Sequence, residues 1–386
     1  MAGIYIHIPF CKQKCSYCDF HFSTSLKYKS SLIDCIVKEI ETKKELLKKP
    51  VSSIYFGGGT PSLLKKSELS SIMDALNRNF SITQNVEITF ECNPDDISKA
   101  KLSDLKNAGI NRLSIGIQSF FEEDLKLFNR AHNANQAKES ILISQDVGFE
   151  NITVDLIYGS PLLTLKKWEE NLNQIGKLNI PHLSAYTLTV EPNTALQHQV
   201  KTNQINLPTD EQAIAQFKTL IEMTESFGLT QYEISNFGKE GFYSFHNSNY
   251  WKGVEYLGIG PSAHSYIKHS PLERGLRGVS KRFWNVSNNI KYIKAINKNI
   301  DYWEEETIDE TTAYNEYILT RLRTIWGVEI NYIFENFSPL IFSHFNKELE
   351  KYSNSSYLQT VNNKIILTKE GIFIADKISS DLFYVE

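Results

Sequence analysis

Short apolar strands alternate with amphipathic helices through the first half of the chain, and this alternation constrains the fold more than any other feature. Apolar runs predict strands at residues 4–8, 53–56, 86–90, 112–117, 152–157 and 182–188. Helical periodicity predicts helices near residues 29–48, 66–79, 98–108, 122–127, 135–147 and 165–177. Six β-α units in series predict a parallel sheet covered by helices. Six units rather than eight indicate an α/β fold with an incomplete, open (β/α)6 TIM-like barrel.

The pattern changes after residue 205, which predicts three units spanning residues 1–205, 206–305 and 306–386. The second unit is predicted to be an α+β extension of the barrel, with a long helix over 210–227 and a strand over 232–235. The third unit contains predicted helices near 310–325, 330–337 and 342–351, a hairpin turning at Asn362-Asn363, and a final helix from near Lys369. Helices followed by a hairpin are typical of a small winged-helix-like unit.

The composition is that of an ordinary globular protein. The chain has 386 residues, of which 41% are hydrophobic and 22% charged, and its net charge is -4. This balance provides no general attraction to nucleic acid, so no nucleic-acid partner is expected. There is no apolar run of about 18 residues and no leader-like N-terminus, so we expect a cytoplasmic protein without a transmembrane segment. Cys35 and Cys92 stand apart from the other cysteines and are predicted to be small buried side chains.

Three of the five cysteines lie close together directly after the first predicted strand. Cys11, Cys15 and Cys18 have C-x3-C-x2-C spacing. Three thiolates on one loop can bind three irons of a [4Fe–4S] cluster and leave the fourth iron open for another ligand. Two alternatives remain: a tetrahedral Cys3His zinc site completed by His21, or ordinary thiols on a turn.

Polar and glycine residues follow the other predicted strands. The run 57–61, Gly-Gly-Gly-Thr-Pro, follows the second strand, where glycines let the backbone approach a ligand closely. The side chains at or near the later strand ends are Glu91, Gln118, Arg130 and Asp155. Each alone is explained by a salt bridge or a turn. Because the carboxyl ends of parallel strands meet at one barrel mouth, together they indicate one cavity suited to an amino acid and a ribose.

The cysteine loop, Gly-Gly-Gly-Thr-Pro, Glu-Cys-Asn-Pro and Gly-Ile-Gln-Ser, in this order, resemble the radical S-adenosylmethionine (SAM) superfamily. Over nearly its full length the chain is similar to the oxygen-independent coproporphyrinogen III oxidase-like family. The resemblance implies that Cys11, Cys15 and Cys18 bind a [4Fe–4S] cluster whose open iron takes SAM. It also implies a SAM pocket formed by Tyr5, Tyr17, Gly58, Gly59, Thr60, Glu91, Gln118, Arg130 and Asp155. In such proteins an electron donor reduces the cluster, and SAM is cleaved to methionine and a 5′-deoxyadenosyl radical.

Two departures distinguish the chain from the true oxidases of this family. Phe20 occupies the position of their further cysteine, and the first strand begins at Ile4, without the extension that helps them to enclose porphyrinogen. The segment 246–251, His-Asn-Ser-Asn-Tyr-Trp, instead resembles the H-N-x-x-Y-W motif of the heme chaperone HemW branch. The resemblance makes His246 a heme-ligand candidate, with His264 as a second. Each histidine is also explained as a hydrogen-bonded structural residue.

The resemblance therefore implies a heme chaperone that transfers heme to an acceptor protein and carries a [4Fe–4S] cluster and SAM. It further implies an electron donor and a monomer–homodimer equilibrium. The enzyme alternative is an oxygen-independent coproporphyrinogen III oxidase, which converts propionates to vinyl groups by radical decarboxylation. A third alternative is a binding module that keeps the cysteine loop only for structure and does not cleave SAM.

Overall fold

Six parallel strands form the centre of the protein, which a computed structural model describes over residues 1–268 and 280–385. They pair in sequence order: β1 (Ala2–Ile8), β2 (Val51–Gly58), β3 (Ile82–Cys92), β4 (Arg112–Gln118), β5 (Asn151–Tyr158) and β6 (His182–Thr187). The predicted α/β fold is confirmed. Residues 269–279, in the second predicted unit, and residue 386 lie outside the described residues.

Helices connect these strands and cover their outer face. Their bounds are α1 (Lys29–Thr42), α2 (Lys66–Asn79), α3 (Lys99–Asn107), α4 (Glu122–Leu127), α5 (Ala134–Asp146) and α6 (Leu165–Lys177). Side-chain capping defines where two of these helices begin. Thr164 and Ser98 accept hydrogen bonds from backbone N–H groups in the first turns of α6 and α3. The first helix is shorter than predicted, because the chain tightens into a 3-10 turn at Lys44–Leu46.

Alternation along β1 separates the inside of the barrel from its outer core. Ile4, Ile6 and Ile8 are fully buried among the apolar residues that pack beneath the helices. Tyr5 and His7 point to the opposite face, because successive side chains of a strand alternate in direction. Tyr5 lies beside Tyr55 of β2, with ring centroids 6.1 Å apart. The barrel interior is thus polar and aromatic while the outer layer is aliphatic.

Further strands extend the same sheet at both edges. The additional elements are α7 (Ala195–Lys201), α8 (Asp210–Ser226), β7 (Thr230–Glu233), β8 (Asn236–Gly238), α9 (Phe245–Trp251), β9 (Tyr256–Ile259), β10 (His264–Lys268), β11 (Ser280–Asn285), α10 (Asn289–Lys298) and β12 (Trp303–Ile308). β9 pairs parallel with β1, and β10, β11 and β12 follow antiparallel, while β8 and β7 extend the sheet beyond β6. Because both edges continue into other strands, the barrel is open, as predicted.

One local prediction in this region is wrong. The predicted strand over 232–235 is displaced, because β7 covers Thr230–Glu233 and residues 234–235 form the turn before β8. The basic residues Lys281 and Arg282 lie on β11. Their charges are paired across the sheet with Glu305 and Glu306, both at 2.8 Å. The positive charges of Lys281 and Arg282 are therefore balanced by carboxylates of the neighbouring strand.

The C-terminal elements have a hydrophobic core of their own. They are α11 (Glu310–Leu322), β13 (Val328–Glu329), α12 (Ile330–Asn336), α13 (Pro339–Glu350), β14 (Leu358–Val361), β15 (Lys364–Leu367) and α14 (Ala375–Leu382). The predicted hairpin is confirmed: Asn362 and Asn363 both have positive φ, as a two-residue type I′ turn requires. The final helix begins later than predicted, because a 3-10 turn occupies Gly371–Ile374.

The isolated cysteines are buried, as predicted: Cys35 is 1% exposed and Cys92 is 4% exposed. Over residues 1–268 and 280–385, no helix combines the length and apolar character needed to cross a membrane.

Candidate functional site

The cysteine loop is anchored at the carboxyl end of β1. The Cys11 N–H donates to the Ser23 carbonyl at 3.1 Å, and the Ser23 N–H donates to the Pro9 carbonyl at 2.9 Å. These bonds close the base of the loop. Cys11, Cys15 and Cys18 are all free thiols and partly exposed. The strand therefore presents the three sulfurs at the barrel mouth rather than in the core.

The His21 ring contacts residues other than the cysteines. Its Nε2 atom lies 2.8 Å from Oδ1 of Asn289, and its ring stacks with that of His7 at 6.1 Å. In the part of the chain that the structure describes, no three His, Cys, Asp or Glu side chains are arranged to hold a single metal ion. The geometry therefore gives no support to the Cys3His zinc alternative.

The glycine run lies directly against the base of the cysteine loop. The Gly59 N–H donates to the Ile8 carbonyl at 3.0 Å, and the Thr60 N–H donates to the Phe10 carbonyl at 2.7 Å. A Cβ atom on Gly59 would lie only 2.7 Å from backbone atoms of these two residues. Thr60 also reaches the loop, with its Oγ1 atom 3.5 Å from the Cys11 sulfur. Glycine is needed here because two backbones approach closely.

Gly58 turns the chain between β2 and this contact. Its φ of +102° lies in a region that glycine adopts readily, and a Cβ atom there would clash with the His7 ring at 2.4 Å. The backbone N–H of Gly58 also donates to Glu91. The glycine run thus connects the cysteine loop to the carboxylate of the third strand.

Two carboxylates lie in the barrel interior. Glu91 accepts a hydrogen bond from the Tyr55 hydroxyl at 2.9 Å, and Ser114 lies 3.3 Å from Asp155. Burial raises the pKa of Glu91 to about 7, and the charge of Asp155 contributes to this rise. Burial likewise raises the pKa of Asp155 to about 6. Among the described residues neither carboxylate forms a salt bridge, so both are available to a cationic ligand.

Arg130 joins the cysteine loop to the ends of β3 and β4. Its guanidinium donates to the Cys15 sulfur at 3.3 Å, to Oδ1 of Asn93 at 2.8 Å and to the Gly116 carbonyl at 2.7 Å. Its Nε atom is buried without a partner within the described residues. Gln118 lies close by, because a Cβ on Gly116 would meet both side chains within 3.2 Å. Gln118 ends β4 with a φ of +68° at an irregularity in the register with β5.

The two predicted SAM-contacting tyrosines lie on different elements. Tyr5 projects from β1, and its hydroxyl is 3.1 Å from Nδ1 of His7. Tyr17 belongs to the cysteine loop and packs edge-to-face on Phe128, with ring centroids 5.4 Å apart. Tyr5 thus lines the interior below the loop, whereas Tyr17 stands beside Cys15 and Cys18.

His246 lies at the other end of the barrel from the cysteines. Its Nδ1 atom is 2.9 Å from Ser53 Oγ, near the start of β2, and its Nε2 atom is 2.8 Å from the Tyr250 hydroxyl. The side chain is 2% exposed, and burial lowers its pKa to about 3. Both ring nitrogens therefore have partners, which is the structural alternative foreseen for this histidine. Heme ligation by His246 stays a prediction that would require this end of the barrel to open.

His264 lies at the same end of the barrel as the cysteines. It begins β10, directly after the turn that follows β9, and is exposed at the surface. Its ring stacks with that of Trp284 at 6.0 Å. Of the two predicted heme candidates, only His264 is near the cysteine loop and accessible.

Two residues of the site were not singled out from the sequence. Asn93 accepts from Arg130 and donates to Thr60 Oγ1 at 3.2 Å, so it connects two of the predicted ligand-binding residues. Tyr55 hydrogen-bonds Glu91, and its ring lies 5.2 Å from that of His246. Asn93 could have been found from its place in the Glu-Cys-Asn-Pro motif. For Tyr55, the only indication in the sequence was its position on the second strand, where alternation directs the side chain into the barrel.

The residues present suit a cluster and SAM. Burial raises the pKa of Cys11, and it raises that of Cys18 to about 11, so binding of iron has to displace their protons. Arg130 would stabilise the Cys15 thiolate. Cys11, Cys15 and Cys18 would hold the cluster, and Glu91 and Asp155 suit the positive charges of SAM. When bound, these groups supply one-electron and radical chemistry, while the protein positions and shields them.

The comparisons with known proteins agree with this architecture. Residues 5–175 match the Radical SAM superfamily. The chain is 33% identical to the heme chaperone HemW of Bacillus subtilis (strain 168) over 382 residues, which cover 98% of both chains. It is 36% identical to the heme chaperone HemW of Escherichia coli (strain K12) over 330 residues, which cover 84% of this chain and 82% of that one.

The fold has a relative among solved structures. Coproporphyrinogen III oxidase (HemN) from Escherichia coli, described as a radical SAM enzyme, superposes with a TM-score of 0.83 over 99% of this chain and 90% of its own. The sequence identity is 22%, so this likeness concerns the fold. Fold, motifs and full-length similarity agree: the chain belongs to the radical SAM superfamily and, within it, to the heme chaperone HemW family.

Proposed function

We propose that this protein binds heme and transfers it to an acceptor protein. The observation that carries the proposal is the full-length similarity to heme chaperones at 33% identity. We further propose that Cys11, Cys15 and Cys18 bind a [4Fe–4S] cluster, and that SAM binds beside it in the barrel mouth. The geometry supports this, because all three thiols lie on one loop with Arg130 and Thr60 hydrogen-bonded to two of their sulfurs.

The proposed SAM pocket extends from the cysteine loop into the barrel. Its carboxylates are Glu91 and Asp155, and its backbone contribution comes from Gly58 and Gly59. The remaining members are Tyr5, Tyr17, Thr60, Gln118 and Arg130. Glu91 and Asp155 support binding of a cation, because within the described residues they accept hydrogen bonds only from neutral groups.

The proposal includes an electron donor, a cytoplasmic location and a monomer–dimer equilibrium. Free, partly exposed thiols at the barrel mouth require a reducing compartment, which supports the cytoplasm. An electron donor is required because cluster reduction needs an electron from outside the chain. Sedimentation analysis at several protein concentrations tests the equilibrium, and a single species at all of them would remove it.

The test uses the full chain, reconstituted anaerobically with iron and sulfide. Hemin is titrated while the Soret band is followed, and parallel samples receive coproporphyrinogen III, SAM and a reductant. Stoichiometric heme binding without release of CO2 from the porphyrinogen supports the chaperone function. Decarboxylation would make the protein an oxidase and overturn the proposal.

Two variants separate the cluster from the rest of the fold. Cys15→Ala removes a proposed ligand and should abolish the cluster absorbance and reductant-dependent SAM cleavage. Cys35→Ala removes a buried thiol on α1 and should leave both unchanged. If the reconstituted wild type does not cleave SAM under strong reduction, the cysteine loop has only a structural role.

A further inference from the structure

An open cleft of about 700 Å3 lies beside the cysteine loop at the carboxyl ends of the strands. Residues 18–24, the segment that includes Cys18, form one wall. Pro192, after β6, Ser262, between β9 and β10, and Ser287, between β11 and α10, contribute the others. The cleft therefore spans the open side of the barrel and is within the usual size range of ligand sites.

Four side chains of this cleft match the chemistry of heme, in a lining that also includes the carboxylate of Asp19. Phe20 and Phe22 offer flat apolar surfaces, and His21 between them offers an imidazole. Lys14 provides a positive charge for a propionate. Phe20 is 68% exposed, so its ring is accessible to a ligand in the cleft.

His21 is oriented by neighbours outside the cleft wall. Its Nε2 atom is 2.8 Å from the side-chain oxygen of Asn289, the first residue of α10. Because an amide oxygen can only accept, this nitrogen carries the proton, and the lone pair is on Nδ1. Within residues 1–268 and 280–385, Nδ1 makes no hydrogen bond. Such a fixed tautomer, held by a second partner, is typical of metal-ligating histidines.

The other two candidate histidines each lack at least one of these features. Both ring nitrogens of His246 are hydrogen-bonded, and it lies at the far end of the barrel. His264 is accessible but does not line the cleft. His21 alone among the three combines an available nitrogen with a place in the cavity.

We propose, resting on the function proposed above, that heme binds in this cleft with its iron on His21. The macrocycle lies against Phe20 and Phe22, and Lys14 binds a propionate. The cysteine loop then forms one wall of the cargo site, so heme and the proposed cluster are neighbours.

The test titrates hemin into the reconstituted full chain and compares His21→Ala with His264→Ala. Soret absorbance gives the affinity, and resonance Raman spectra report whether the iron has an imidazole ligand. We expect His21→Ala to bind hemin at least tenfold more weakly and to lose the imidazole signature, which added free imidazole restores. His264→Ala should behave as the wild type. Phe20→Asp, at an exposed position that does not disturb the core, should also weaken binding several-fold.

The outcomes separate this inference from the proposed function. If the wild type binds hemin but His21→Ala and Phe20→Asp keep its affinity and imidazole signature, the cleft assignment is wrong and the chaperone function stands. If the wild type binds no hemin, both the cleft assignment and the proposed chaperone function are wrong. Cluster absorbance of each variant shows that the fold is retained, and if His21→Ala does not fold, Phe20→Asp decides alone.

Discussion

The guanidinium of Arg130 donates a hydrogen bond to the sulfur of Cys15 across 3.3 Å, and the same side chain holds Asn93 and the Gly116 carbonyl. One cation therefore links the proposed cluster loop to the strand ends that form the proposed SAM pocket. A thiolate next to a guanidinium is stabilised, and the planar fork of arginine can satisfy several acceptors at once.

Arg130→Lys should weaken both cluster retention and SAM binding, because one ammonium cannot replace three directed hydrogen bonds. A hydrogen bond to a charged group contributes about 1.5–3 kcal/mol, so we expect at least a tenfold loss of SAM affinity. Iron content after desalting and equilibrium dialysis with SAM measure the two effects. Arg78→Lys, on the exposed face of α2, is the matched control. Unchanged iron content and SAM affinity in Arg130→Lys would refute the role given to this side chain.

The raised pKa of Glu91 should make the protein without cofactors less stable as pH rises. The folded pKa is about 7 and the ordinary value is 4.5, so the folded state holds a proton that the unfolded state releases between these values. The free energy of unfolding should therefore fall by up to about 3 kcal/mol from pH 4.5 to 7 through this group. Glu91→Gln should flatten this decline.

Urea unfolding of the protein without cofactors at a series of pH values measures the effect. Glu150→Gln, at an exposed position, should leave the pH dependence as in the wild type. A Glu91→Gln profile parallel to that of the wild type would show that burial does not perturb this carboxyl.

Gly59→Ala should destabilise the base of the cysteine loop. The added Cβ would lie 2.7 Å from the Ile8 carbonyl and from backbone atoms of Phe10, which cannot move aside cheaply. We expect a loss of about 2 kcal/mol in the free energy of unfolding and reduced cluster occupancy. Gly228→Ala, with a φ of +75° and open space around it, provides the comparison: about 1 kcal/mol lost and normal cluster occupancy. Full cluster occupancy in Gly59→Ala would contradict the close-contact explanation.

His246→Ala tests whether this histidine packs or binds heme. Its loss leaves the Ser53 and Tyr250 hydroxyls without their partner and creates a cavity, so we expect a loss of about 2–4 kcal/mol in the free energy of unfolding. Heme binding per folded molecule should be unchanged if the role is packing. Denaturant unfolding and hemin titration on the same preparation separate the two effects. Loss of the imidazole signature without loss of stability would instead identify His246 as the heme ligand, as the H-N-x-x-Y-W motif predicts.

Local sequence patterns were sufficient to predict the six β-α units and the cysteine loop. Hydrophobic periodicity reports local structure, so α2, α4 and α6 have the predicted bounds, and the functional residues were predicted at strand ends. The spacing of Cys11, Cys15 and Cys18 predicted three thiols on one loop and allowed a cluster, a zinc site or ordinary thiols, and the resemblance to the radical SAM superfamily then favoured the cluster. These features depend on neighbours within a few positions along the chain.

The contacts between distant segments were visible only in the folded molecule. β9 to β12 join the barrel sheet through pairings with β1 and with one another that no local pattern specifies. The H-N-x-x-Y-W segment resembles a ligand motif, yet packing against Ser53 places His246 at the opposite end of the barrel from the cysteines. His21 became a heme-ligand candidate only through Asn289, 268 positions further along the chain. Such contacts depend on the summed packing of whole elements, which overrides local signals.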